Sequence, residues 1–385
     1  MLKHTLVAAS LIAGGLFVAS AAESANSPGV TDSTITIGQS CALKGPAAGL
    51  GKAMNLGLQT WFDQVNDAGG VAGRQIELKA VNDGYEPEKT EVVTKMLIDK
   101  VEAFLLIGEV GTPTSKVAVP IAEEAGVPFI APFTGAEFLR NPHKPWVVNV
   151  RASYYQEMEA HAAYLVDELG YERISCFYQN DGYGQAGLSG IELALERRGM
   201  TLASTGTYER NTVAVASGLA DVRQGDPQAV VMVGAYQPCA AFIRTAKDAG
   251  MTDVYFGNLS FVGTLNLMEE LGDAAEGCVT TQVVPFPWDT EVPLVKEFHA
   301  SMKAAKQEEA IGFGTLEGFM GGKLFTMTLD QMEGPITRQG FIDTVQEIGT
   351  YDLGGVTLTY GEEDHQGMDE VYMTVFRGGE VQPLK

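Results

Sequence analysis

Basic residues are scarce in this chain: 26 lysines and arginines stand against 49 aspartates and glutamates, for a formal charge of −23. That acidity excludes nucleic acid and anionic membrane surfaces as partners, because both are themselves polyanionic. Cysteine is scarcer still. The four, Cys41, Cys176, Cys239 and Cys278, form no C-x-x-C and lie in or beside apolar runs. They read as small buried apolar residues, and their spacing specifies no disulfide pairing. The five histidines include no H-x-x-x-H pair, so no metal site is expected. Neither a G-x-x-x-x-G-K-S/T phosphate loop nor a G-x-S-x-G nucleophile elbow occurs. Nothing marks a catalytic residue or a resident cofactor, and the chain is read as a non-enzyme.

Long apolar runs are missing too, except at the start. Lys3 precedes an apolar stretch from Leu6 to Val18, and Ala19-Ser20-Ala21 offers an A-x-A cleavage site. This pattern predicts a secretory signal peptide over residues 1–21 and hence export. The run is too short, and too interrupted by Gly and Ser, for a membrane anchor. About 360 residues remain, more than one core usually serves, so two lobes are expected.

What is present is a regular alternation. Short β-rich apolar runs such as ITIGQS, AFLLIGE, RISCFYQ and AVVMVGA are separated by helical patterns. In the first of these helices Met54, Leu58, Trp61, Phe62 and Val65 share one face. Continuous apolar strands between helices predict parallel sheets covered on both sides, an α/β class. The pattern restarts near Val147 to Arg151 and breaks again at Val283 to Trp288, where helices follow without interleaved strands. The expected organisation is therefore two doubly wound parallel-sheet lobes joined by three crossovers. Residues 31–150 plus 285–357 would form one lobe and 151–284 plus 358–385 the other, with a ligand cleft between them.

Three strand ends carry chemistry. At Gly108-Glu109-Val110-Gly111-Thr112-Pro113-Thr114-Ser115 a strand gives way to a helix. The first N–H groups of that helix have no intrahelical acceptor, and its dipole makes the end partly positive. Thr112 is placed as the N-cap, with Pro113 as the first helical residue, and Gly111 leaves room for close approach to the backbone. Ligands of open α/β sheets gather at such carboxyl ends. The other two strand ends present Tyr183 and Tyr236, each with an apolar face and a hydroxyl. Gly182 to Gly187 also matches G-x-G-x-x-G, which leaves a secreted nicotinamide-dependent oxidoreductase as a rival reading. Gln179-Asn180-Asp181 loosens the required turn, and the Tyr183 ring stands at the helix mouth.

The segments GQSCALKGPAAGLGKAMNLGLQTWFDQVNDAGGVAGRQIEL, IGEVGTPTSKVAVPIAEEAGVPFIAP, DGYGQAG, GDAAEG and YGEEDHQG together resemble the type I periplasmic solute-binding proteins of ABC importers, in the leucine/isoleucine/valine-binding branch. The resemblance covers nearly the whole mature chain. It implies a clamp, located in the periplasm, that closes on an amino acid or related carboxylate or amide and delivers it to an ABC permease in the inner membrane. The same fold can instead report to a membrane signalling receptor. By resemblance, Gly111, Thr112 and Thr114 would hold a ligand carboxylate, with Phe133, Thr134 and Gly135 beside them. Tyr183 and Tyr236 would close from the other lobe. The family's acid for a ligand ammonium is missing, because the chain reads Gly257-Asn258-Leu259-Ser260 there. Leu259 and Ser260 would then line the ligand, and Glu109 or Asp181 could supply the charge. A loop aromatic expected at Leu50 is also missing. On this reading the anion-binding half of the site is kept and the ammonium half is lost.

Overall fold

A computed structural model describes residues 26–384; the expected signal peptide lies outside them. The first sheet runs in the order β2-β1-β3-β4-β5 and is parallel throughout. Its strands are β1 (Thr34–Cys41), β2 (Gln75–Asn82), β3 (Leu106–Ile107), β4 (Phe129–Ile130) and β5 (Val147–Val148). The second sheet is built on β6 (Ile174–Gln179), β7 (Thr205–Tyr208), β8 (Ala229–Val233), β9 (Tyr255–Asn258) and β10 (Val279–Gln282). Each order reverses at its first strand, β1 in one sheet and β6 in the other, which creates a crevice at the carboxyl edge.

Helices α1 (Ala48–Asp67), α2 (Pro87–Asp99) and α3 (Thr112–Glu124) cover the first sheet. The second is covered by α4 (Tyr154–Ala162), α5 (Gly182–Glu196), α6 (Ala216–Arg223), α7 (Tyr236–Asp248) and α8 (Thr264–Leu271). Every residue of β8 is buried, as a strand roofed on both faces requires. After β10 the chain returns to the first lobe as α9 (Pro293–Ala304), α10 (Phe313–Gln331) and α11 (Arg338–Ile348).

The last crossing falls later than residue 358. Strands β11 (Thr350–Asp352), β12 (Thr357–Gly361) and β13 (Asp364–Gly367) form their own antiparallel sheet. That sheet is tied to the first lobe: the Asn149 N–H donates to the His365 carbonyl at 2.9 Å, and His365 Nδ1 meets the Val147 carbonyl at 2.9 Å. Only β14 (Tyr372–Arg377) and β15 (Glu380–Pro383) join the second sheet, with β14 antiparallel to β10. The β-rich segment over residues 354–379 is thus divided between the two lobes. Both halves are β-rich, so strand composition alone does not reveal the break.

All four cysteines are buried with free thiols. The tightest helix contact is between α1 and α10. A Cβ on Gly57 would lie 2.0 Å from the Thr315 carbonyl oxygen, and one on Gly318 would lie 2.3 Å from that of Met54. Backbones this close let Trp61 donate to Thr326 Oγ1 at 2.9 Å and place its ring edge-on to Phe319, 5.0 Å between centroids. Gly57→Ala is expected to destabilise the chain by about 1–3 kcal/mol, because two backbones would have to separate. Thermal unfolding measures this; an unchanged midpoint would show that the helices part freely.

Candidate functional site

The junction after β3 differs in detail from its sequence reading. Gly111, at φ +104°, is the N-cap of α3, and Thr112 is already the first helical residue. Thr112 therefore caps nothing; its Oγ1 lies 2.6 Å from Thr134 Oγ1, which in turn donates to the Tyr154 hydroxyl at 3.2 Å. Thr114 turns its hydroxyl back onto the carbonyls of Val110 and Gly111 at 2.5 and 2.8 Å. A Cβ on Gly111 would sit 2.1 Å from Tyr85 Cε2, so that ring lies directly over the helix mouth. Gly135 is equally crowded, with the Tyr154 ring and N–H both within 2.8 Å of where its Cβ would be.

Aromatic rings fill the space in front of α3. Phe261 stands 4.8 Å from Tyr183, 5.6 Å from Phe133 and 6.0 Å from Tyr85, measured between centroids. Tyr154 and Tyr183 are 5.4 Å apart. The Tyr183 hydroxyl is buried without a partner. Glu109 is buried with both carboxyl oxygens unpartnered, and burial together with the nearby Asp83 pushes its carboxyl well above the usual carboxylate range. Leu259 is fully buried.

The cavity lies beside this cluster. It measures about 370 Å³ and is bounded by both lobes: Leu50, Ala53, Phe133 and Glu317 on one side, Ser260, Thr264, Leu265 and Gln282 on the other. Of the residues expected to touch a ligand, Phe133 and Ser260 line it; Gly111, Thr112, Thr114, Thr134, Gly135, Tyr183, Tyr236, Glu109 and Leu259 do not. Phe133 is the reason. Its large ring, beside that of Phe261, separates the helix mouth from the open space. Tyr236 reaches the cleft from the second lobe, where its hydroxyl accepts the Gly49 N–H at 3.3 Å.

Beneath Phe133 and Ser260 lies a group that sequence pattern did not single out. Arg151, fully buried at the first crossover, places one Nη 3.0 Å from Glu157 on α4 and the other 3.3 Å from Glu317 on α10. It also bonds Ser260 Oγ, and its guanidinium lies 5.5 Å from the Phe133 ring centroid. Glu157 accepts in addition from Ser260 N–H at 2.8 Å, Ser260 Oγ at 3.0 Å and Thr281 Oγ1 at 2.5 Å. Burial opposes the charge on Arg151, yet Glu317 and Glu157 hold its pKa above the ordinary value. Burial pushes Glu317 up to about 7, against the pull of Arg151. Its one sequence signature, a lone Glu in the apolar pattern of FGTLEGFMGG, looks like any solvent-facing acid until the helix is placed.

A second set of contacts joins the lobes at the cleft edge. Arg210 pairs with Asp181 and with Glu86 across the gap, both at 2.9 Å. Asn211 donates to Glu86 at 2.7 Å, and Gln179 to the Tyr85 hydroxyl at 3.2 Å. Asp181 also caps α5 by accepting the Tyr183 N–H at 2.9 Å, so the mouth of the G-x-G-x-x-G helix is already occupied. A Cβ on Gly184 would stand 1.8 Å from the Gln179 carbonyl, so that glycine serves packing.

Two doubly wound lobes crossed by three chain segments, with a cavity of about 370 Å³ walled by both, have the architecture of a two-lobe binding protein. Over residues 34–380 the chain matches the family described as periplasmic binding protein, and it belongs to that family. A solved structure of a possible leucine/isoleucine/valine-binding protein from Rhodopirellula baltica SH 1 is 37% identical, covers 92% of this chain and 96% of its own, and superposes with a TM-score of 0.88. A substrate-binding periplasmic protein from Ralstonia solanacearum is 25% identical over 91% of this chain and 99% of its own, with a TM-score of 0.82. A leucine-, isoleucine-, valine-, threonine- and alanine-binding protein from Pseudomonas aeruginosa is 24% identical, covering 76% of this chain and 77% of that protein. The chain is thus a periplasmic binding protein of the Leu/Ile/Val-binding type, from a family of solute binders rather than enzymes.

Three outcomes follow from the charges. Arg151→Met leaves two buried carboxylates without their cation and should cost about 3–5 kcal/mol, read from urea unfolding; a loss under about 1 kcal/mol would mean water already solvates them. In the unaltered protein, Glu317 binds its proton more tightly folded than unfolded. Its contribution to stability is therefore complete below about 4.5 and lost as pH rises through about 7. Arg210→Ala, which removes two partly exposed pairs, should change stability by about 1 kcal/mol. It should nevertheless enlarge the radius of gyration in X-ray scattering without added solute, because it removes a tie between the lobes. An unchanged radius would show that the pair does not hold the cleft edge.

Proposed function

We propose that this protein is the solute-receiving component of an ABC importer. It captures an amino-acid-sized molecule by lobe closure and presents it to a permease of the inner membrane. The supporting observation is the cavity of about 370 Å³ walled by both lobes, since a solute there would touch both and favour the closed arrangement. Its walls are mainly apolar, with Leu50, Leu56, Leu265, Val283 and Phe313 able to surround an alkyl or aryl body. The amino acids named for the Pseudomonas aeruginosa relative have the same character of polar head and compact apolar body.

Within this reading Tyr236 closes the cleft from above, and Ser260, Thr264 and Gln282 offer polar contacts from the second lobe. The aromatic cluster at Thr112, Thr134 and Tyr183 forms a dry floor under Phe133 and positions that ring. A solute that binds only the closed form stabilises it by mass action, by about 2.7 kcal/mol at a hundredfold excess over Kd, and so raises the unfolding midpoint. The test is a thermal-shift screen of the mature protein against amino acids, carboxylates, amides and amines, followed by X-ray scattering with each hit. At least one compound should raise the midpoint and shrink the radius of gyration. Silence across all four classes would overturn the solute-binding assignment.

A further inference from the structure

The charges around the cavity are unevenly shared. Glu157 is fully engaged: its two oxygens receive four hydrogen bonds, one from Arg151. Glu317 receives Arg151 alone, at 3.3 and 3.5 Å, longer than the 2.7–2.9 Å or so of a strong charge-assisted bond. One guanidinium is shared between two carboxylates, Glu157 is the better satisfied of the two, and Glu317 is the member of the trio that lines the cavity. The other charges facing it do not settle the balance. Arg140 adds positive charge nearby that favours the Glu317 carboxylate, but its N–H groups go to the carbonyls of Ala136 and Arg151 and to Gln366, and it does not line the cavity. At the mouth, Lys52 on α1, Glu269 on α8 and Glu309 beside α10 are all exposed, two acids against one base.

We propose that the solute is an organic ammonium ion lacking a carboxylate, its cationic nitrogen received by Glu317 and its apolar body held between Leu50, Leu265 and Phe313. This rests on the importer reading and specifies its cargo. The acid missing at Ser260 is thereby supplied from the opposite lobe, by α10. A carboxylate in the same place would face Glu317 within a wall that holds no buried base, while the N–H groups of α3 lie behind Phe133. Titration supports the geometry. Burial holds Glu317 at about 7, so below that pH a cation must displace a proton in order to bind.

Isothermal titration of the mature protein tests this with isoamylammonium and phenethylammonium, alongside leucine and phenylalanine, isovalerate and phenylacetate, and the matching amides. At least one amine should bind about tenfold or more tighter than its matched amino acid, acid or amide. Below pH 7 its affinity should fall by up to about tenfold per pH unit, with one proton released, read from buffers of different ionisation heat. Above about 7 the affinity should level off. Glu317→Gln should lose amine binding and its pH dependence while keeping the circular dichroism of the parent. If that variant fails to fold, proton release in the unaltered protein still decides. Tighter binding of acid, amino acid or amide, amine affinity independent of pH between about 5.5 and 7, or undiminished binding by the folded Gln variant would each overturn the proposal. Binding of acids or amides without amines would sink the ammonium cargo and leave the importer reading standing. Silence from every class would remove both.

Discussion

A buried guanidinium organises the cleft. Arg151 leaves the first sheet just after β5 and enters the interior with no solvent exposure, where an unpaired charge would be prohibitively expensive. The chain meets that demand from three directions: Glu157 from α4, Glu317 from α10, and the hydroxyl of Ser260 from the loop after β9. These belong to both lobes, so the pairing fixes the first crossover against the floor of the cavity. Replacing such a cluster by apolar side chains is often neutral for stability, so stability alone is weak grounds for keeping it. Its value here lies in orientation. The same cation that anchors the crossover also holds Phe133 under its face and aims Ser260 and Glu317 at the cavity wall.

Where the open space lies follows from the size of two rings. The parallel bridge between Val110 and Phe133 continues the sheet one step past β3 and β4, which brings Thr112 and Thr134 into contact. With a small residue at 133, the helix mouth would face the cleft. With Phe133 there, and Phe261 approaching from the second lobe, the mouth is sealed and Tyr85 covers Gly111. Polar groups left behind the seal bear its cost: the Tyr183 hydroxyl and both Glu109 oxygens are buried without partners. A neutral carboxyl at Glu109 is the cheapest way to tolerate that burial, in keeping with its raised pKa.

The two-lobe architecture was legible because its information is local. Fully apolar runs such as AVVMV can only be strands roofed on both faces, and helices without strands after Trp288 had to return to an existing lobe. The last crossover was misplaced by about ten residues because strand periodicity does not say which sheet a strand joins. That choice rests on His365 meeting Val147, a contact between positions 218 residues apart. The site was legible in outline and inverted in emphasis. Thr112 and Gly111 do stand at a strand end, but nothing in GTPTS says that Tyr85, 26 residues earlier, lies on top of them. Arg151 and Glu317 were passed over because a single Arg and a single Glu among 75 charged residues carry no pattern; only their pairing at 3.3 Å makes them informative.

On the importer reading, closure and charge are then one problem. When the lobes meet, Tyr236 reaches Gly49, Arg210 reaches Glu86, and the trio around Arg151 is shut away from bulk water. Each contact favours the closed form whether or not a solute is present. The Glu317 carboxylate works the other way, because closing an empty cavity over it means desolvating an anion or binding a proton. A solute shifts the equilibrium only by the difference in its affinity for the two arrangements. A group that is penalised on empty closure and satisfied on filled closure supplies that difference where mere contact area would not. On that reading the acid placed to govern closure is the one that both lines the cavity and is loosely held, which is Glu317.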